Sequence, residues 1–534
     1  MSTPENINIV QSALESSLRL HPQRIELGQA EMLTDALLNR FDDLEQRLNT
    51  YFSGSAAAEE LRKGMLSYLS RINANHLIPL HFRLKVLKRF EERLDLFDSE
   101  MTAAVLNAHK IGIDMVQKEA QKEPAYYTIL VDMVSHAIEL AGSLMRDILG
   151  NYHAPAIITI RQVFDLMRLG MVMLPELPEG AEQEKRRLYL SVVRYELLRN
   201  LDFFSKMNSE QDMMMEELQH HIGTLTPHYL AKGELKSAEI KGYSLLISNL
   251  SHPHETAQVM PFPPRGSSAD LLIVPMDDFI DKLVMSIDRA EKVLKNPVLQ
   301  SKDLQIEESL HSTVIGGNAI LDALRTKSRN TERQEYGNAN LIAGWSLGQS
   351  IRDVQKVMVS DETALEEVDL KAIGAWTVMN ISRKGLALER LSSDEPKLGV
   401  NSLIGLHWKP HRGEPFFAFI RWIRYPKVGE QQMGLEFYLR DYLPVRAVML
   451  SVGDSKERRS WCVLATFEKD GEHTIVFPDN TVFKGMVFSV VDDRYGGYFK
   501  VLTVQHSGSN YSVCNVCIAS ELDTKQIDGQ GLGT

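Results

Sequence analysis

The spacing of apolar residues changes near residue 300, and this change most constrains the fold. Before it, apolar residues recur every three or four positions, as in Leu33, Leu37, Phe41, Leu44 and Leu48, which is typical of amphipathic helices. After it, short β-branched and aromatic runs are separated by turn residues, which is typical of strands. Because helices and strands need different apolar periods, the sequence predicts an α+β multidomain protein.

The N-terminal region, residues 1–300, is predicted to be an all-α helical bundle. A broad apolar stripe from Leu130 to Ile148 suits a central helix. A loop rich in proline follows at 251–266, and Leu271 to Val274 are compatible with one short strand. Residues 301–328 are predicted to form a connector, to which the pair Gly316-Gly317 gives flexibility.

The C-terminal region is predicted to be rich in β structure. Residues 329–445 contain six strand-like runs, which suit a small β-barrel because closure removes unpaired edges. Residues 446–522 contain further predicted strands and are either an additional small β domain or an extension of the barrel. The polar, glycine-rich tail at 523–534 is predicted to be disordered. The predicted barrel strands are Leu341–Leu347, Trp376–Asn380, Leu386–Leu391, Asn401–Trp408, Phe416–Arg424 and Gln432–Tyr438.

Composition narrows the classes of function. The 534 residues are 44% hydrophobic and 24% charged, which suits folded domains with substantial cores. A net charge of -12 argues against a general nucleic-acid-binding surface, since phosphate contacts need basic residues. The N-terminus does not resemble a secretory signal, and no run of 18 apolar residues occurs. We therefore expect a cytoplasmic protein with no membrane span.

Cysteines and histidines do not predict a metal or redox centre. The three cysteines exclude a disulfide framework. Cys514 and Cys517 lie in a predicted strand, where positions three apart point to opposite faces, so structural cysteines are favoured over a metal or redox pair. The one dense histidine group lacks a metal-ligand order and is interpreted as a solvated surface. That group comprises His220, His221, His228, His252 and His254, and we predict no metal and no cofactor.

Two polar motifs in the C-terminal half suit recognition of a guanine nucleotide. The first is the R-x-x-x-R spacing of Arg329 and Arg333, and arginine pairs bidentately with phosphate or guanine and stacks on bases. The second is an N-x-S-x-x-G turn of Asn380, Ser382 and Gly385. Its amide and hydroxyl can bond polar base atoms, and its glycine permits a tight turn or a close backbone approach.

In this order, the two motifs and the strands after them resemble the PilZ domain, whose members are mostly receptors for the bacterial second messenger cyclic di-GMP. The resemblance covers roughly residues 325 to 440. It implies a small β-barrel in which Arg329 and Arg333 close over the ligand against the turn that contains Asn380, Ser382 and Gly385. Asparagine stands where aspartate is commoner, and the gap at 334–379 is longer than usual and is predicted to hold an inserted helix around Ile351–Met358.

The resemblance predicts a cyclic di-GMP receptor that signals through its helical half to a protein partner or by self-association. The alternative is an interaction scaffold whose barrel binds no ligand. An enzyme is not predicted, because no Ser-His-Asp, Cys-His or paired-carboxylate set stands out. The run Gly344–Ser350 is one residue short of a phosphate-binding P-loop and has Gln349 where that loop has lysine.

Overall fold

The computed structural model divides the chain into two compact units, residues 1–203 with 208–327 and residues 204–207 with 328–534. The predicted inserted helix and the predicted disordered tail lie outside the residues that the structure describes. The described residues are 46, 50, 58–75, 77–91, 98–120, 122–123, 125–201, 203–232, 240, 242–253, 255–261, 269–296, 304–324, 334–335, 340–344, 373–382, 384–391, 399–408, 416–427, 429–438, 442–449, 460–467, 473–478, 481–491, 497–508 and 510–519.

The first unit is mainly helical. Its long helices are joined by short connections except between His221 and Asp277, where the chain forms a small sheet. The apolar spacing of three to four residues predicts such helices. The helices are α1 (Ala58–Ala74), α2 (Leu80–Glu91), α3 (Ser99–Ala120), α4 (Tyr126–Gly150), α5 (Ile157–Met173), α6 (Glu182–Asn200), α7 (Asn208–His221), α8 (Asp277–Lys295) and α9 (Leu304–Leu324).

Helix α4 is the centre of this unit. It packs against α3, α5 and α6, and Leu130, Val134, Ala137 and Ile138 have no exposed surface. In the described part of the chain it is the helix long and apolar enough to cross a membrane, and 67% of its most apolar window is buried by the fold. Its apolar character therefore has an explanation in the packing of the helical core.

Most of the predicted connector, residues 301–328, is helix α9, so the prediction of a flexible segment is wrong there. Gly316 and Gly317 lie within it, where it packs against α7 and α8. A Cβ at Gly316 would lie 2.4 Å from the carbonyl oxygen of Met213, and one at Gly317 would lie 2.8 Å from the side chain of Ile287. The two glycines thus allow close helix packing, and flexibility is not needed to explain them.

The N-terminal half is not all-α, because it also contains a four-stranded antiparallel sheet of order β1-β4-β2-β3. Two of its strands, Leu245–Asn249 and Leu271–Pro275, are buried on both faces and lack the alternation by which strands are usually detected. The run predicted as a strand, Leu271 to Val274, lies in the second of them. The other two have three residues each. The strands are β1 (His228–Leu230), β2 (Leu245–Asn249), β3 (Gln258–Met260) and β4 (Leu271–Pro275).

The second unit begins with a seven-stranded antiparallel sheet of order β5-β7-β6-β9-β10-β11-β8. Strand β7 also pairs with β8, so successive pairings around six of the strands return to their start. The strands are β5 (Gln334–Glu335), β6 (Asn340–Gly344), β7 (Ile373–Ser382), β8 (Gly385–Leu391), β9 (Leu403–Trp408), β10 (Phe416–Lys427) and β11 (Glu430–Phe437).

The remaining strands form a closed six-stranded barrel of order β12-β13-β14-β17-β16-β15. Its interior is lined by small and aromatic side chains, including Val445, Ile475, Phe477 and Phe488, which are fully buried. The strands are β12 (Leu443–Met449), β13 (Ser460–Phe467), β14 (His473–Phe477), β15 (Val487–Val491), β16 (Gly497–Ser507) and β17 (Ser512–Ile518).

The seven-stranded sheet and the closed barrel share an apolar cluster. Phe417 and Phe419 of β10 pack there with Leu464 of β13, Val513 of β17 and Tyr511, which directly precedes β17. Burial of such large side chains stabilises both sheets together. The predicted α+β class is therefore confirmed, with helices in the N-terminal half and β-sheets, one of them a closed barrel, in the C-terminal half.

Candidate functional site

The second motif forms the tight turn between β7 and β8. Ser382 and Gly385 are Cα partners at the end of the ladder. The Ser382 hydroxyl donates to the carbonyl oxygen of Gly385 over 3.1 Å and accepts from the backbone N–H of Lys384 over 3.4 Å. The serine side chain therefore stabilises its own turn, in the manner of other serine-containing turns.

Gly385 is required by the neighbouring strand. It pairs with Glu436 of β11, and a Cβ built on it would lie 1.8 Å from the carbonyl oxygen of Leu435. Real Cβ atoms do not approach a backbone oxygen so closely, so any larger residue would have to push β8 away from β11. The glycine thus has a structural reason that is independent of any ligand.

A β-bulge in β7 determines the direction of Asn380. Val378 pairs with Leu388, whereas Asn380 pairs with Ala387, so one extra residue lies between them. Paired residues share a face and neighbours along a strand alternate, which puts Asn380 on the face opposite Val378 and Leu388. Val378 and Leu388 are fully buried, whereas Thr377, on the same face as Asn380, is exposed. Asn380 is therefore on the outer face that Thr377 shares, where it is partly buried beside its Cα partner Ala387. Bulges commonly redirect side chains at sites of function.

Strand β5 brings the chain that follows the first motif to this turn. Gln334 is the Cα partner of Ile381, and Glu335 is the Cα partner of Asn380. Strand β6 occupies the same edge of β7 further back, at Ile373 to Thr377. The end of β7 therefore has β5 on one side and β8 on the other.

Three of the five predicted site residues lie in the part of the chain that the structure describes, and two lie outside it. Asn380, Ser382 and Gly385 lie at the end of β7 and the start of β8, as the turn motif predicts. Arg329 and Arg333 lie outside the described residues. Their closure over a ligand therefore stays a prediction, whereas the residue after Arg333 is hydrogen-bonded into the ladder beside Asn380.

Two charged residues in register with the turn form an ion pair between β10 and β11. The Arg421 guanidinium forms an ion pair with Glu436, the Cα partner of Gly385. Arg421 also lies over the Phe419 ring, 5.3 Å from its centroid. Because Arg421 pairs with the Glu436 carboxylate, that carboxylate repels an approaching anion less than a free one would. Lys384 is exposed in the turn itself.

The cysteines have the predicted strand environment. Cys514 faces the interior of the closed barrel and is fully buried, whereas Cys517 is partly exposed on β17. Burial raises the pKa of the Cys514 thiol to about 12. A thiol that stays protonated at neutral pH is a poor metal ligand and a poor nucleophile.

The dense histidine group does not converge in the described part of the chain. His220, His228 and His252 are exposed, and His254 lies outside the described residues. Glu217 is the glutamate that approaches the group, with its Oε2 3.4 Å from Nε2 of His221 one helical turn on. Glu216 and Glu217 also accept hydrogen bonds from Ser312 and Thr313 of α9 over 3.0 and 2.7 Å. These contacts fasten α7 to α9.

The structure also contains a cluster of metal-ligating side chains that the sequence analysis did not predict. Glu91, His109 and His136 place one ligand atom each within 4.8 Å of one another. They lie on three separate helices, so no local spacing relates them. The one available signal was a polar residue inside an apolar stripe, as with His109 in α3, and many structural histidines give that signal too.

Comparison of the chain with protein-family models and with curated proteins finds no match. The geometry of the site is therefore the evidence for its function.

Proposed function

We propose that this protein is a receptor for cyclic di-GMP, which binds at the outer face of the β7–β8 turn through Arg329, Arg333 and Asn380. The proposal places the protein in the cytoplasm, where such a messenger is made and sensed. It includes no cofactor and no catalytic step. The observation that carries it is the register between β5 and β7, because it puts the residue that follows Arg333 beside the second motif.

Arg333 directly precedes the first paired residue of β5. Glu335 is opposite Asn380, and positions two apart in a strand share a side. Gln334, which directly follows Arg333 in the chain, is paired with Ile381, the residue between Asn380 and Ser382. Consecutive Cα atoms are about 3.8 Å apart, so Arg333 cannot be far from the paired Gln334. A side chain as long as arginine then reaches a ligand on the outer face of the turn.

The chemistry of the ligand suits these residues. Cyclic di-GMP has two phosphates and two guanines, and an arginine guanidinium can pair with either in a bidentate manner or stack on a base. Two arginines on one segment provide both interactions. The Asn380 amide adds a donor and an acceptor for a guanine edge. Since the whole chain has a net charge of -12, recognition of an anion depends on such a local basic segment.

The turn residues have a supporting role in this proposal. The Ser382 donor is used within the turn, and Gly385 is needed for its contact with β11. They hold Asn380 in place, while the arginines and Asn380 make the contacts to the ligand. This assignment shifts most of the expected binding free energy to the arginines.

The helical unit is proposed to transmit the signal. Its nine described helices exceed what a small ligand site needs, and we propose that it contacts a protein partner or a second copy of the chain. Ligand binding would then change that contact. Light scattering with and without cyclic di-GMP separates the two possibilities, since self-association changes the mass of the particle.

Calorimetric titration of the full-length protein with cyclic di-GMP tests the proposal. Asn380→Ala should weaken binding by about fivefold, because a hydrogen bond to a ligand contributes roughly 1 kcal/mol. Thr377→Ala is the matched control, because Thr377 is exposed on the same face of the same strand, and it should bind as the wild type does. Ser382→Ala should lose stability more than affinity.

A scaffold that binds no ligand is the second candidate. It is favoured by the finding that the structure of the turn accounts for Ser382 and Gly385 without a ligand. Absence of any heat with cyclic di-GMP for a folded wild-type protein would support the scaffold. Equal binding by the wild type and the Asn380→Ala variant would instead show that the ligand binds elsewhere.

A further inference from the structure

We propose that Glu91, His109 and His136 form a binding site for a divalent transition-metal cation in the helical unit. This inference concerns a different unit from the nucleotide site and does not depend on the proposed function. Zinc is the cation chosen as the probe.

The three side chains converge from three helices. Glu91 is the last residue of α2, His109 lies in α3 and His136 in α4. The Glu91 Oε1 atom is 2.7 Å from Nε2 of His109 and 3.1 Å from Nδ1 of His136. Zinc ligands at about 2.0–2.2 Å from the metal are roughly 3.3 Å from each other in a tetrahedral site. The 3.1 Å separation is close to this spacing, whereas the 2.7 Å separation is shorter, so Glu91 and His109 would move slightly apart around a cation.

His109 is oriented as a ligand. It has no exposed surface, and its Nδ1 lies 2.9 Å from the carbonyl oxygen of Val105, which can only accept. Nδ1 therefore carries the proton, and Nε2 of the neutral ring directs a lone pair at the Glu91 carboxylate. Two lone pairs at this distance repel each other unless a cation or a second proton lies between them. A backbone carbonyl on the other ring nitrogen is the usual orienting partner of a metal-binding histidine.

His136 contributes a buried nitrogen without a hydrogen bond. Its Nδ1 faces the Glu91 carboxylate at 3.1 Å without completing a hydrogen bond to it or to another described group. Buried polar atoms are nearly always paired, so an orphaned nitrogen needs an explanation. A cation held between this nitrogen, Nε2 of His109 and the carboxylate satisfies all three at once.

The outer side of His136 is compatible with this assignment. Its Nε2 is 3.4 Å from Arg187, a long contact, and Arg187 is paired with Asp132, one turn earlier on α4. A metal on Nδ1 requires a proton on Nε2, and Asp132 is a carboxylate able to accept it. The guanidinium would then pair with Asp132 alone.

The donor set indicates the class of cation. Two imidazoles and one carboxylate suit zinc, iron, nickel or copper, whereas magnesium and calcium prefer oxygen ligands. Three protein ligands leave a coordination position for water. Glu91 and His136 are 18% and 14% exposed, so a cation from solvent has access to the site. Binding would join α2, α3 and α4.

Zinc titration of the full-length protein tests the site. The protein is stripped with a chelator, freed of any histidine tag and titrated by equilibrium dialysis. The variants are Glu91→Gln, His109→Gln and His136→Gln. His311→Gln is the control, because His311 is exposed and its Nε2 is 4.0 Å from the Glu307 carboxylate one helical turn away.

One saturable zinc equivalent is expected for the wild type and for His311→Gln, with no competition from millimolar magnesium. Each ligand variant should bind at least about 100-fold more weakly, since even the loss of an outer partner typically costs 10–100-fold. Circular dichroism shows whether each variant is folded. If His109→Gln does not fold, the less buried Glu91 and His136 variants decide the question.

Two results would overturn the inference. One is saturable binding that Glu91→Gln and His136→Gln leave unchanged, which would put the zinc elsewhere. The other is a folded wild-type protein with no saturable zinc binding, which would mean that protons alone join the two imidazoles to Glu91.

Discussion

Gly385 and Leu435 face each other across two neighbouring strands so closely that a Cβ on Gly385 would lie 1.8 Å from the Leu435 carbonyl oxygen. This contact fixes how near β8 approaches β11 at the turn that contains Asn380. The geometry of the candidate site therefore depends on a backbone contact, and not only on the polar side chains of the motif.

The first prediction is that Gly385→Ala destabilises the β unit by about 1–3 kcal/mol or more, because the added carbon meets a ladder carbonyl that cannot move away cheaply. Gly399→Ala is the control, since a Cβ there meets nothing within 4 Å. The measurement is the midpoint of urea unfolding, with tryptophan fluorescence as the signal. If the two variants unfold at the same midpoint, the close approach of β8 and β11 is not present in solution.

The second prediction concerns the helical unit. Gly316→Ala should lower its stability by about 1–3 kcal/mol, because the new carbon would lie 2.4 Å from the Met213 carbonyl oxygen. The gain of roughly 1 kcal/mol in helix propensity is too small to offset this clash.

Gly150→Ala is the matched control for the second prediction. It also lies in a helix, but its nearest contact would be an ordinary 3.6 Å to the Gln211 side chain. Urea unfolding followed by circular dichroism at 222 nm compares the variants. Stabilisation by Gly316→Ala would show that α9 is not packed against α7. It would favour the earlier interpretation of Gly316-Gly317 as a source of flexibility.

The third prediction concerns thiol reactivity. Burial raises the pKa of Cys514 to about 12, so almost no thiolate forms at pH 8, and alkylation of the folded protein should leave this residue unmodified. The partly exposed Cys517 should react faster. Tandem mass spectrometry after iodoacetamide treatment distinguishes the two. Labelling of Cys514 at the rate of Cys517, without denaturant, would contradict the buried position.

The strands of the C-terminal half were well predicted from sequence. All six runs proposed between residues 341 and 438 overlap β6 to β11, and the further strands predicted between 446 and 522 overlap β13 to β17, whereas β5 and β12 were not predicted. Alternation and turn residues give a direct signal when one face of a strand is buried and the other is exposed. The sequence did not decide whether the strands after residue 446 form a barrel of their own, because closure depends on pairings between strands far apart in sequence.

The errors in the N-terminal half have physical causes. Strands such as Leu245–Asn249 are buried on both faces, so their apolar runs do not alternate. Gly316-Gly317 was interpreted as flexible because glycine has that effect in a linker. Inside α9 the same glycines serve close packing, which only the partner helix reveals.

The candidate site could be predicted only in part. The turn formed by Asn380, Ser382 and Gly385 follows from a local motif. The bulge that directs Asn380 outward and the pairing of Gln334 with Ile381 depend on register, which a single sequence does not give. The cluster of Glu91, His109 and His136 depends on three-helix packing and had no local signature at all.

The most direct test of the central claim is the affinity of the full-length protein for cyclic di-GMP, measured by calorimetry for the wild type, Arg329→Ala, Arg333→Ala and Arg333→Lys. Charge-assisted hydrogen bonds contribute roughly 1.5–3 kcal/mol each, so loss of one two-bond fork should weaken binding at least about a hundredfold. Lysine should rescue little, because it lacks the planar fork. A folded wild-type protein that shows no heat of binding, or arginine-to-alanine variants that bind as tightly as the wild type, would contradict the account.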